Sequence, residues 1–501
     1  MLVSNQEKRT FILIFIITLI IKLWLAAYFP LTGDEAYFYQ WGTHPNWGYY
    51  DHPPMVGWLL YLLTRISSHP VILRLITVLV WSFIALGIVD LLKRMVPSQE
   101  PTAWYLSAVF LTLPFTWALN LITTDTPLIL FVFCSAYCFI RTQLDDKILW
   151  SIGTGVFLGL AFLSKYFAVL LGIAYFVHFL MHIKNKGSLR HLAIITLSAM
   201  PFVAINVGYN TTHCYNNIMF NIYNRNQNAQ FSLQNVGLYL LMMVYLVTPW
   251  FTFSLFKIKS KNKLQNDIVV LFLIPLLFFF LISFEKKIGL HWVLGFMPFI
   301  FIYAGMQLEI TLLKKYLRWN IWFSMPHFAV LSAIIILPLS VWEPFSFYER
   351  IVFHKNTSQI VSGLRQNLPI GSLIMATGYT PASILSFAAG EYWDVFGGDS
   401  SSHARQDDII VDFRQLNGKP IRISDAHEMK KESFSPYFDS VTTGSFIVAG
   451  VRYWYVDGVH FNYVNYREHI LKNINQHYYK IPKWLPMKNC QFLEKYDFAR
   501  Q

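Results

Sequence analysis

The sequence predicts a polytopic α-helical membrane protein with a C-terminal α/β domain. The first observation is compositional: 55% of the 501 residues are hydrophobic and only 14% are charged, whereas soluble domains carry about 25% charged residues. The second is a series of apolar runs long enough to cross a bilayer, which stops near residue 341. The third is the region 342–501, where short β-rich stretches and turn-forming residues replace the long apolar runs. We expect strands within 372–377, 408–413 and 445–456 and a helix around 381–389. No nucleic-acid-binding motif occurs, so a nucleic-acid partner is not expected.

The apolar runs predict eleven membrane spans. Ile148 to Met181 is one continuous run that is too long for a single helix, and Lys165 lies at its centre. A lysine at mid-membrane costs about 2.5–3.5 kcal/mol, so we divide this run into two short spans with Lys165 at the turn. The eleven spans fall at about residues 10–29, 70–92, 102–119, 126–141, 148–164, 167–183, 190–207, 235–256, 268–284, 292–308 and 321–341.

The distribution of basic residues predicts the topology. Every second connection is short and basic, which by the positive-inside rule indicates a cytoplasmic N-terminus. Residues 1–341 are then a transmembrane catalytic domain with an outer-face loop at 30–68, and residues 342–501 form a soluble domain outside the membrane. The basic connections lie at 8–9, 93–94, 141–147, 184–190, 257–263 and 314–318.

The stretch Leu31–Trp58 is the richest in chemical groups. It contains Asp34, Glu35 and Asp51 among many tyrosines and tryptophans. Aromatics alone would fit an interfacial loop at the headgroup belt. Paired carboxylates next to a membrane span are costly and tend to mark function. The candidate residues of this stretch are Asp34, Glu35, Tyr37, Tyr50, Asp51 and His52.

Further charged residues are expected at the same membrane surface. Arg74 lies among apolar neighbours and needs an anion or must snorkel to the interface. Asp125, before Thr126 and Pro127, fits either a helix cap or a catalytic carboxylate. The cationic candidates are Arg74, Lys165, Lys286, Lys287 and His291, whose alternative role is contact with membrane-lipid phosphate. Together these groups suit a lipid-linked phosphate substrate, with a carboxylate as general base and aromatic faces for a sugar ring.

The motifs Gly33–Tyr37 and Tyr49–Pro54 resemble the first outer loop of GT-C glycosyltransferases. The similarity is to bacterial members of the dolichyl-phosphate-mannose protein mannosyltransferase family, which include the aminoarabinose transferases that modify lipid A. It extends over about residues 10–300, through the segments 73–75, 124–127, 159–166 and 287–292.

This resemblance implies a polyprenyl-phosphate-sugar donor and an acceptor at the outer face of the bacterial inner membrane. The acceptor would be lipid A or lipopolysaccharide, another envelope glycan, or a protein, and the carboxylate of Asp34 would engage its hydroxyl. In the aminoarabinose transferases a lysine, thought to contact the lipid phosphate, occupies the position where this chain has His52. The phosphate contact is therefore expected from Lys165, Arg74 or the Lys286–Lys287 pair.

We therefore expect an inverting glycosyltransferase in which Asp34 is the base, with Glu35 and Asp125 as further catalytic candidates. The alternatives are a transporter or flippase of lipid-linked sugars, although no inverted repeat supports it, and a sensor that only binds the lipid. No cofactor is certain; a divalent metal stays open because Asp51, His52, His213 and His291 could converge without forming a recognised signature. Of the four cysteines, Cys214 and Cys490 could meet outside the membrane, but the sequence does not favour a disulfide.

Overall fold

The computed structural model describes residues 4–223, 230–259, 263–397, 405–482 and 484–499. Helices dominate the chain up to residue 365. They are α1 (Ser4–Tyr28), α2 (Gly33–Thr43), α3 (Met55–Thr64), α4 (Pro70–Leu73), α5 (Leu75–Met95), α6 (Glu100–Leu111), α7 (Pro114–Trp117), α8 (Asp125–Asp145), α9 (Ile148–Phe162), α10 (Val169–Met181), α11 (Lys186–Thr212), α12 (Asn216–Ile218), α13 (Leu233–Val247), α14 (Pro249–Leu255), α15 (Lys263–Ile282), α16 (Met297–Gly305), α17 (Ile310–Ile336), α18 (Tyr348–Lys355) and α19 (Thr357–Arg365).

Strands and short helices make up the remainder. In chain order they are β1 (Leu373–Ala376), α20 (Tyr379–Ala389), β2 (Asp394–Val395), α21 (Asp407–Ile410), β3 (Ile421–Asp425), β4 (Phe438–Val448), β5 (Val451–Phe461), α22 (Tyr463–Tyr466), α23 (Lys472–Tyr478) and α24 (Gln491–Tyr496). Single turns of 3-10 or π helix connect them at Pro97–Gln99, Tyr166–Ala168, Met219–Tyr223, Leu290–Trp292, Leu294–Phe296, Leu339–Val341, Phe413–Leu416, Lys431–Ser433, Ser435–Tyr437 and Arg467–Leu471.

The chain forms two compact units. The helical unit consists of Met1–Phe29, Ile66–Ile205 and Ala229–Ile335, and the mixed unit of Pro30–Arg65, Asn206–Asn228 and Ile336–Gln501. The segments Pro30–Arg65 and Asn206–Asn228, which leave the helical unit between apolar helices, therefore pack with the C-terminal part of the chain.

Six helices of the described residues are long and apolar enough to cross a membrane. They are Gln6–Tyr28, Leu75–Met95, Asp125–Asp145, Gly187–Thr212, Lys263–Ile282 and Ile310–Ile336. A seventh span results if α13 and α14, bent by 96° at Thr248, are counted as one. Three predicted spans fall on shorter apolar helices, Ile148–Phe162, Tyr166–Met181 and Leu290–Gly305. The count of eleven therefore stays a prediction.

The helical unit has the surface of a protein that faces lipid. Leu13, Ile16 and Ile20 on α1 are largely exposed, as are Leu197 on α11 and Trp322 on α17. Only 6% of the apolar window of α17 is buried. Exposed apolar bands of this kind lose their cost in a bilayer, where lipid tails replace water.

The predicted interruption at Lys165 is confirmed. α9 ends at Phe162, and Lys165 has extended backbone dihedrals before the single turn Tyr166–Ala168 and α10. The lysine therefore lies at a junction between two short helices and not inside one long one.

The mixed unit is built on a five-stranded sheet with the order β2-β1-β3-β5-β4. β1 pairs in parallel with both β2 and β3, whereas β3 pairs antiparallel with β5 and β5 with β4. β4 and β5 form a hairpin whose turn residues, Ala449 and Gly450, both have positive φ. This combination is the turn that matches the twist of two-residue hairpins.

Two details of the predicted α/β region are wrong. The apolar stretch Asp408–Phe413 was expected to be a strand, but it contains helix α21 and the turn Phe413–Leu416. Short apolar runs do not distinguish strand from helix, and acids in the first turn favour the helix. The second is strand β3, which was missed, whereas the predicted β-rich stretch Ser445–Val456 does lie on the hairpin of β4 and β5.

The outer-face stretch at 30–68, expected to be a loop, contains the two helices α2 and α3. In the mixed unit α2 packs against α20 so closely that a Cβ on Gly33 would lie 2.4 Å from the Thr380 methyl carbon. The same unit contains a disulfide between Cys214 and Cys490, a pairing that the sequence left open and did not favour. A separation of 276 residues hides this pair from any reading of cysteine spacing.

Candidate functional site

Glu35 forms a capping box at the start of α2. Thr32 is the N-cap; its hydroxyl accepts from the Glu35 backbone N–H, and the Thr32 backbone N–H donates to Glu35 Oε2 at 3.0 Å. The side chain of Glu35 is fully buried. A capping box satisfies two backbone donors that the first helical turn leaves open. Glu35, the second acid of the motif, thus stabilises the start of α2.

Asp34, in contrast, is exposed on the first turn of α2. The hydroxyl of Tyr379, at the start of α20, donates to Asp34 Oδ1 at 3.4 Å. Partial burial, together with the charge of Asp34, raises the pKa of Tyr379, which keeps the phenol protonated as a donor. Neighbouring helical residues point about 100° apart, so the two acids have different surroundings. The side chain of Asp34 is open to solvent, whereas the carboxylate of Glu35 accepts a hydrogen bond from the backbone.

Tyr37 and Asp51 form a buried polar pair deeper in the same unit. The Tyr37 hydroxyl donates to Asp51 Oδ1 at 3.4 Å and accepts from the backbone N–H of Gln406 at 3.3 Å. The Gln406 side chain in turn accepts from the Tyr50 backbone N–H at 2.8 Å. Tyr50 is completely buried against Phe220 and Tyr479, so its ring is part of the core.

Asparagines of the segment 206–228 fix the turn that contains His52. The side chain of Asn217 donates to the carbonyls of Tyr49 and His52, and that of Asn221 donates to the Asp51 carbonyl at 2.8 Å. The Tyr49 N–H also donates to the His52 carbonyl at 3.0 Å. The turn before the double proline is therefore held mainly by asparagine side chains that donate to its carbonyls, which the sequence pattern did not reveal.

Sequence reasoning also missed two acids, Asp394 and Asp407, whose pKa values are raised. Burial raises the pKa of Asp394 to about 8, with the charge of Asp407 as a second cause. Burial likewise raises the pKa of Asp407 to about 6, although the Tyr392 hydroxyl donates to this carboxylate. Asp407 lies next to Gln406, and its charge acts on Tyr37. Asp394 begins strand β2 and Asp407 begins helix α21, and no local motif marks either acid in the sequence.

Asp125 and Lys165 form a buried ion pair in the helical unit. Lys165 Nζ lies 2.9 Å and 2.8 Å from the two carboxylate oxygens of Asp125, with side-chain exposures of 8% and 4%. His291 Nε2 is 3.8 Å from Asp125 Oδ2, and this imidazole is half exposed. Asp125 is the first residue of α8, so the carboxylate also lies at the positive end of a helix dipole. The structure thus brings together three residues that the sequence had named separately.

Arg74 is buried and donates from Nη1 to the backbone carbonyls of Ala26 and Phe29, at 3.1 Å and 2.8 Å. These carbonyls belong to the C-terminal end of α1, whose last turn leaves such acceptors open. Arg74 therefore caps α1, a role that the sequence alone did not suggest. Lys286 is half-buried and Lys287 is exposed in the connection after α15.

The suggested metal ligands do not converge among the described residues. His213 Nδ1 lies 3.1 Å from the Tyr209 carbonyl, and its ring stacks on Tyr209. The set Asp51, His52, His213 and His291 is not among the described groups that place three ligand atoms within 4.8 Å of one another.

Comparison with known proteins relates part of this chain to a known family. Residues 51–207 match the sequence model of the family described as dolichyl-phosphate-mannose-protein mannosyltransferase. The lipid A galacturonosyltransferase RgtD of Rhizobium johnstonii is 33% identical over 139 residues, which are 26% of this chain and 28% of RgtD. The alignment thus spans little more than a quarter of that relative.

The fold is shared more widely than the sequence. Crystal structures of ArnT from Cupriavidus metallidurans, in the apo state and bound to undecaprenyl phosphate, give TM-scores of 0.62 and 0.64. The matches cover 89% of this chain and 97% of each ArnT chain, at 12% and 13% identity. The fold class is therefore that of a polytopic helical membrane protein of the GT-C type, and the chain is a multi-pass membrane protein. The resemblance to bacterial GT-C glycosyltransferases related to lipid A-modifying enzymes is confirmed.

Proposed function

We propose that this protein is an inverting glycosyltransferase that moves a sugar from a polyprenyl-phosphate donor to an acceptor at the outer face of the bacterial inner membrane. The observation that carries the proposal is the separation of the two acids of α2. The carboxylate of Glu35 takes part in the capping box, whereas Asp34 is exposed and accepts a hydrogen bond from the Tyr379 hydroxyl. The capping box fixes the first turn of α2 and so holds Asp34 in place as a base.

In the proposed reaction the acceptor hydroxyl attacks the anomeric carbon of the donor sugar. The new carbon–oxygen bond forms as the bond to the phosphate oxygen breaks, and the electron pair leaves with polyprenyl phosphate. Asp34 takes the hydroxyl proton. Direct displacement inverts the anomeric configuration. The phosphate is an activated leaving group, so no nucleotide is required.

The leaving phosphate needs cationic partners, because charge develops on its bridging oxygen. The candidates are Lys165, Lys286, Lys287 and His291, whereas Arg74, named with them from the sequence, caps α1 in the structure. Lys165 already neutralises Asp125, so we propose that Asp125 orients this ammonium and that the phosphate adds to the pair. Arg74 and Glu35, which serve helix ends in the structure, take positioning roles.

The related proteins support the substrate class. One ArnT crystal structure contains undecaprenyl phosphate, and RgtD is named for galacturonosyl transfer to lipid A. We therefore propose an undecaprenyl-type lipid carrier and a lipid A or lipopolysaccharide acceptor, with another envelope glycan or a protein as the alternative acceptor.

The decisive experiment uses purified protein, a labelled polyprenyl-phosphate sugar and lipid A precursor. Asp34→Asn keeps the size of the side chain and removes the base, so turnover should fall by about 10²–10⁴-fold while donor binding and thermal stability change little. Glu35→Gln should lower the melting temperature and cost less turnover, because it weakens the capping box.

Glu428→Gln, which changes an exposed acid of the mixed unit, is the matched control and should retain wild-type turnover. Near-wild-type turnover in Asp34→Asn would refute the assignment of the base. Donor binding without transfer by the wild-type protein to any envelope acceptor would instead favour the transporter or the lipid sensor.

A further inference from the structure

A second cluster of polar side chains lies at the far end of α10 from Lys165. His178 and His182 are one turn apart at the end of α10, and Asp267 lies near the start of α15. His178 Nε2 is 3.3 Å and His182 Nε2 is 3.6 Å from Asp267 Oδ1. Because α10 begins directly after the Lys165 turn and ends at this cluster, the two are about 20 Å apart along the helix. The cluster is therefore separate from the Asp125–Lys165 pair.

The spacing of the ligand atoms fits one metal ion. One ligand atom from each of the three residues can be chosen so that all lie within 4.8 Å of one another. Zinc binds histidine nitrogen and carboxylate oxygen at about 2.0–2.2 Å in a tetrahedron, which puts neighbouring ligand atoms about 3.3 Å apart. The distances from Asp267 to the two imidazoles are close to this value.

The hydrogen bonding also leaves the required atoms available. Among the described residues, His178 Nε2 and Asp267 Oδ1 are buried and form no hydrogen bond, even with each other at 3.3 Å, and their residues are only 5% and 3% exposed. Leaving a buried polar atom without a hydrogen bond destabilises the fold, and a shared cation would remove this cost. The Nδ1 of His182 lies 2.9 Å from the His178 carbonyl, and donation there leaves Nε2 with its lone pair. Backbone carbonyls commonly fix metal-binding histidines in this manner.

The cluster borders a cavity of about 180 Å³ that is also lined by Asn185, His191 and Lys263. This volume leaves room for a water molecule as the fourth ligand. α10 and α15 pack side by side, so an ion at this position would join their ends.

We propose that His178, His182 and Asp267 bind a divalent transition metal, with Zn²⁺ as the ion best suited to two imidazoles and one carboxylate. The ion clamps α10 to α15 on the opposite end of α10 from the ion pair that contains Lys165. The competing interpretation is an ordinary histidine–aspartate contact between the two helices, and the two differ in what exogenous zinc does.

The test uses the full chain purified without a polyhistidine tag. The protein is incubated with ZnCl₂, freed of unbound ion and analysed for metal content, with Co²⁺ absorption as an independent report on ligand geometry. The wild type should retain about one zinc per chain, and its melting temperature should rise with ZnCl₂ and fall with EDTA. His182→Gln and Asp267→Asn should lose at least tenfold in zinc affinity.

His327→Gln is the matched control. His327 is a partly buried histidine of α17 whose Nε2 contacts the Tyr245 hydroxyl at 2.7 Å, outside the cluster. The His327→Gln variant should bind zinc like the wild type. A folded wild-type protein that retains no zinc would overturn the proposal, even if the variants failed to fold. Equal zinc content in wild type, His182→Gln and Asp267→Asn would overturn it as well.

Discussion

Lys165 shows how a single side chain can break a membrane helix and still be buried. The sequence indicated that Lys165 lies in a turn at the membrane surface. The structure supplies the turn, but the ammonium finds its partner in Asp125. A buried ion pair is only weakly stabilising as a pair, whereas removing one member leaves an uncompensated charge. This residue is therefore both a candidate phosphate contact and part of the packing.

The consequence for mutagenesis is that Lys165→Ala should destabilise the protein, by about 3–5 kcal/mol, as well as weaken donor use. Lys165→Arg should be tolerated in part because the charge is kept. In Lys165→Ala/Asp125→Asn the orphaned carboxylate is gone, so the melting temperature should recover while the apparent KM for the donor stays high. Thermal unfolding and donor titration of the four proteins separate the two effects. A double variant as unstable as Lys165→Ala would show that the ion pair is not the cause.

Glu35 and Arg74 show how far the sequence predicts the roles of single residues. Their residue types and positions next to spans indicated function, and the sequence could not show which backbone groups they satisfy. Capping partners such as Thr32 are local and could have been proposed from the Thr-x-x-Glu spacing. The carbonyl partners of Arg74 lie 45 and 48 positions away and depend on how α1 and α5 pack.

At the level of elements, the contact between α2 and α20 is the tightest constraint on Asp34. Gly33→Ala would place a methyl group 2.4 Å from the Thr380 methyl carbon, so α2 must shift or Thr380 must rotate. We expect a loss of turnover with little change in donor affinity, since Asp34 follows directly in the same turn. Thr380→Ser removes the obstructing methyl group and should restore part of the activity of Gly33→Ala.

The control for this experiment is Gly237→Ala in α13, where a new Cβ meets nothing within 4 Å. It tests whether a gain in helix propensity alone changes turnover. If Gly33→Ala and Gly237→Ala behaved alike, the packing of α2 on α20 would not control the base.

Strand β2 makes the mixed unit sensitive to pH. In the folded chain the pKa of Asp394 is raised from its ordinary 3.8 to about 8. Between these values the folded chain holds a proton that the unfolded chain has released, so stability falls as the pH rises through this window. Asp394→Asn stays neutral and should lose less thermal stability between pH 5 and pH 8 than the wild type. Glu428→Gln, at an exposed acid of the same unit, is the control and should follow the wild-type curve. Parallel curves for Asp394→Asn and the wild type would contradict this assignment.

How far the sequence predicts each element depends on how local its cause is. The break at Lys165, strand β1 and helix α20 follow from charge, β-propensity and turn residues close in the chain. The region Asp408–Phe413 was misjudged because Val and Ile dominate it, whereas Arg405 pairs with Asp408 at 2.7 Å and stabilises a helical turn. The contact of α2 with α20 joins residues hundreds of positions apart and leaves no trace in local sequence.

For the whole molecule, the distribution of basic residues still gives the sharpest prediction. A reporter that is active only in the periplasm should be active when fused after Val341 or at Gln501, and silent after Lys186 or Lys261. Lys261 lies outside the residues that the structure describes, so this fusion rests on loop charge alone. Activity at Lys261 would contradict the eleven-span topology. The disulfide supports the same orientation of the mixed unit, because such bonds persist in oxidising compartments and are rare in the cytosol.

The bond between Cys214 and Cys490 also bears on how the protein matures. Its two cysteines are separated by more than half of the chain. In the predicted topology both cysteines lie on the outer face, so Cys214, which is synthesised first, stays a free thiol until Cys490 has been exported. Under that topology export of the C-terminal region is a precondition for forming the disulfide, and we expect the oxidised fraction of newly made chains to report how many have completed biogenesis.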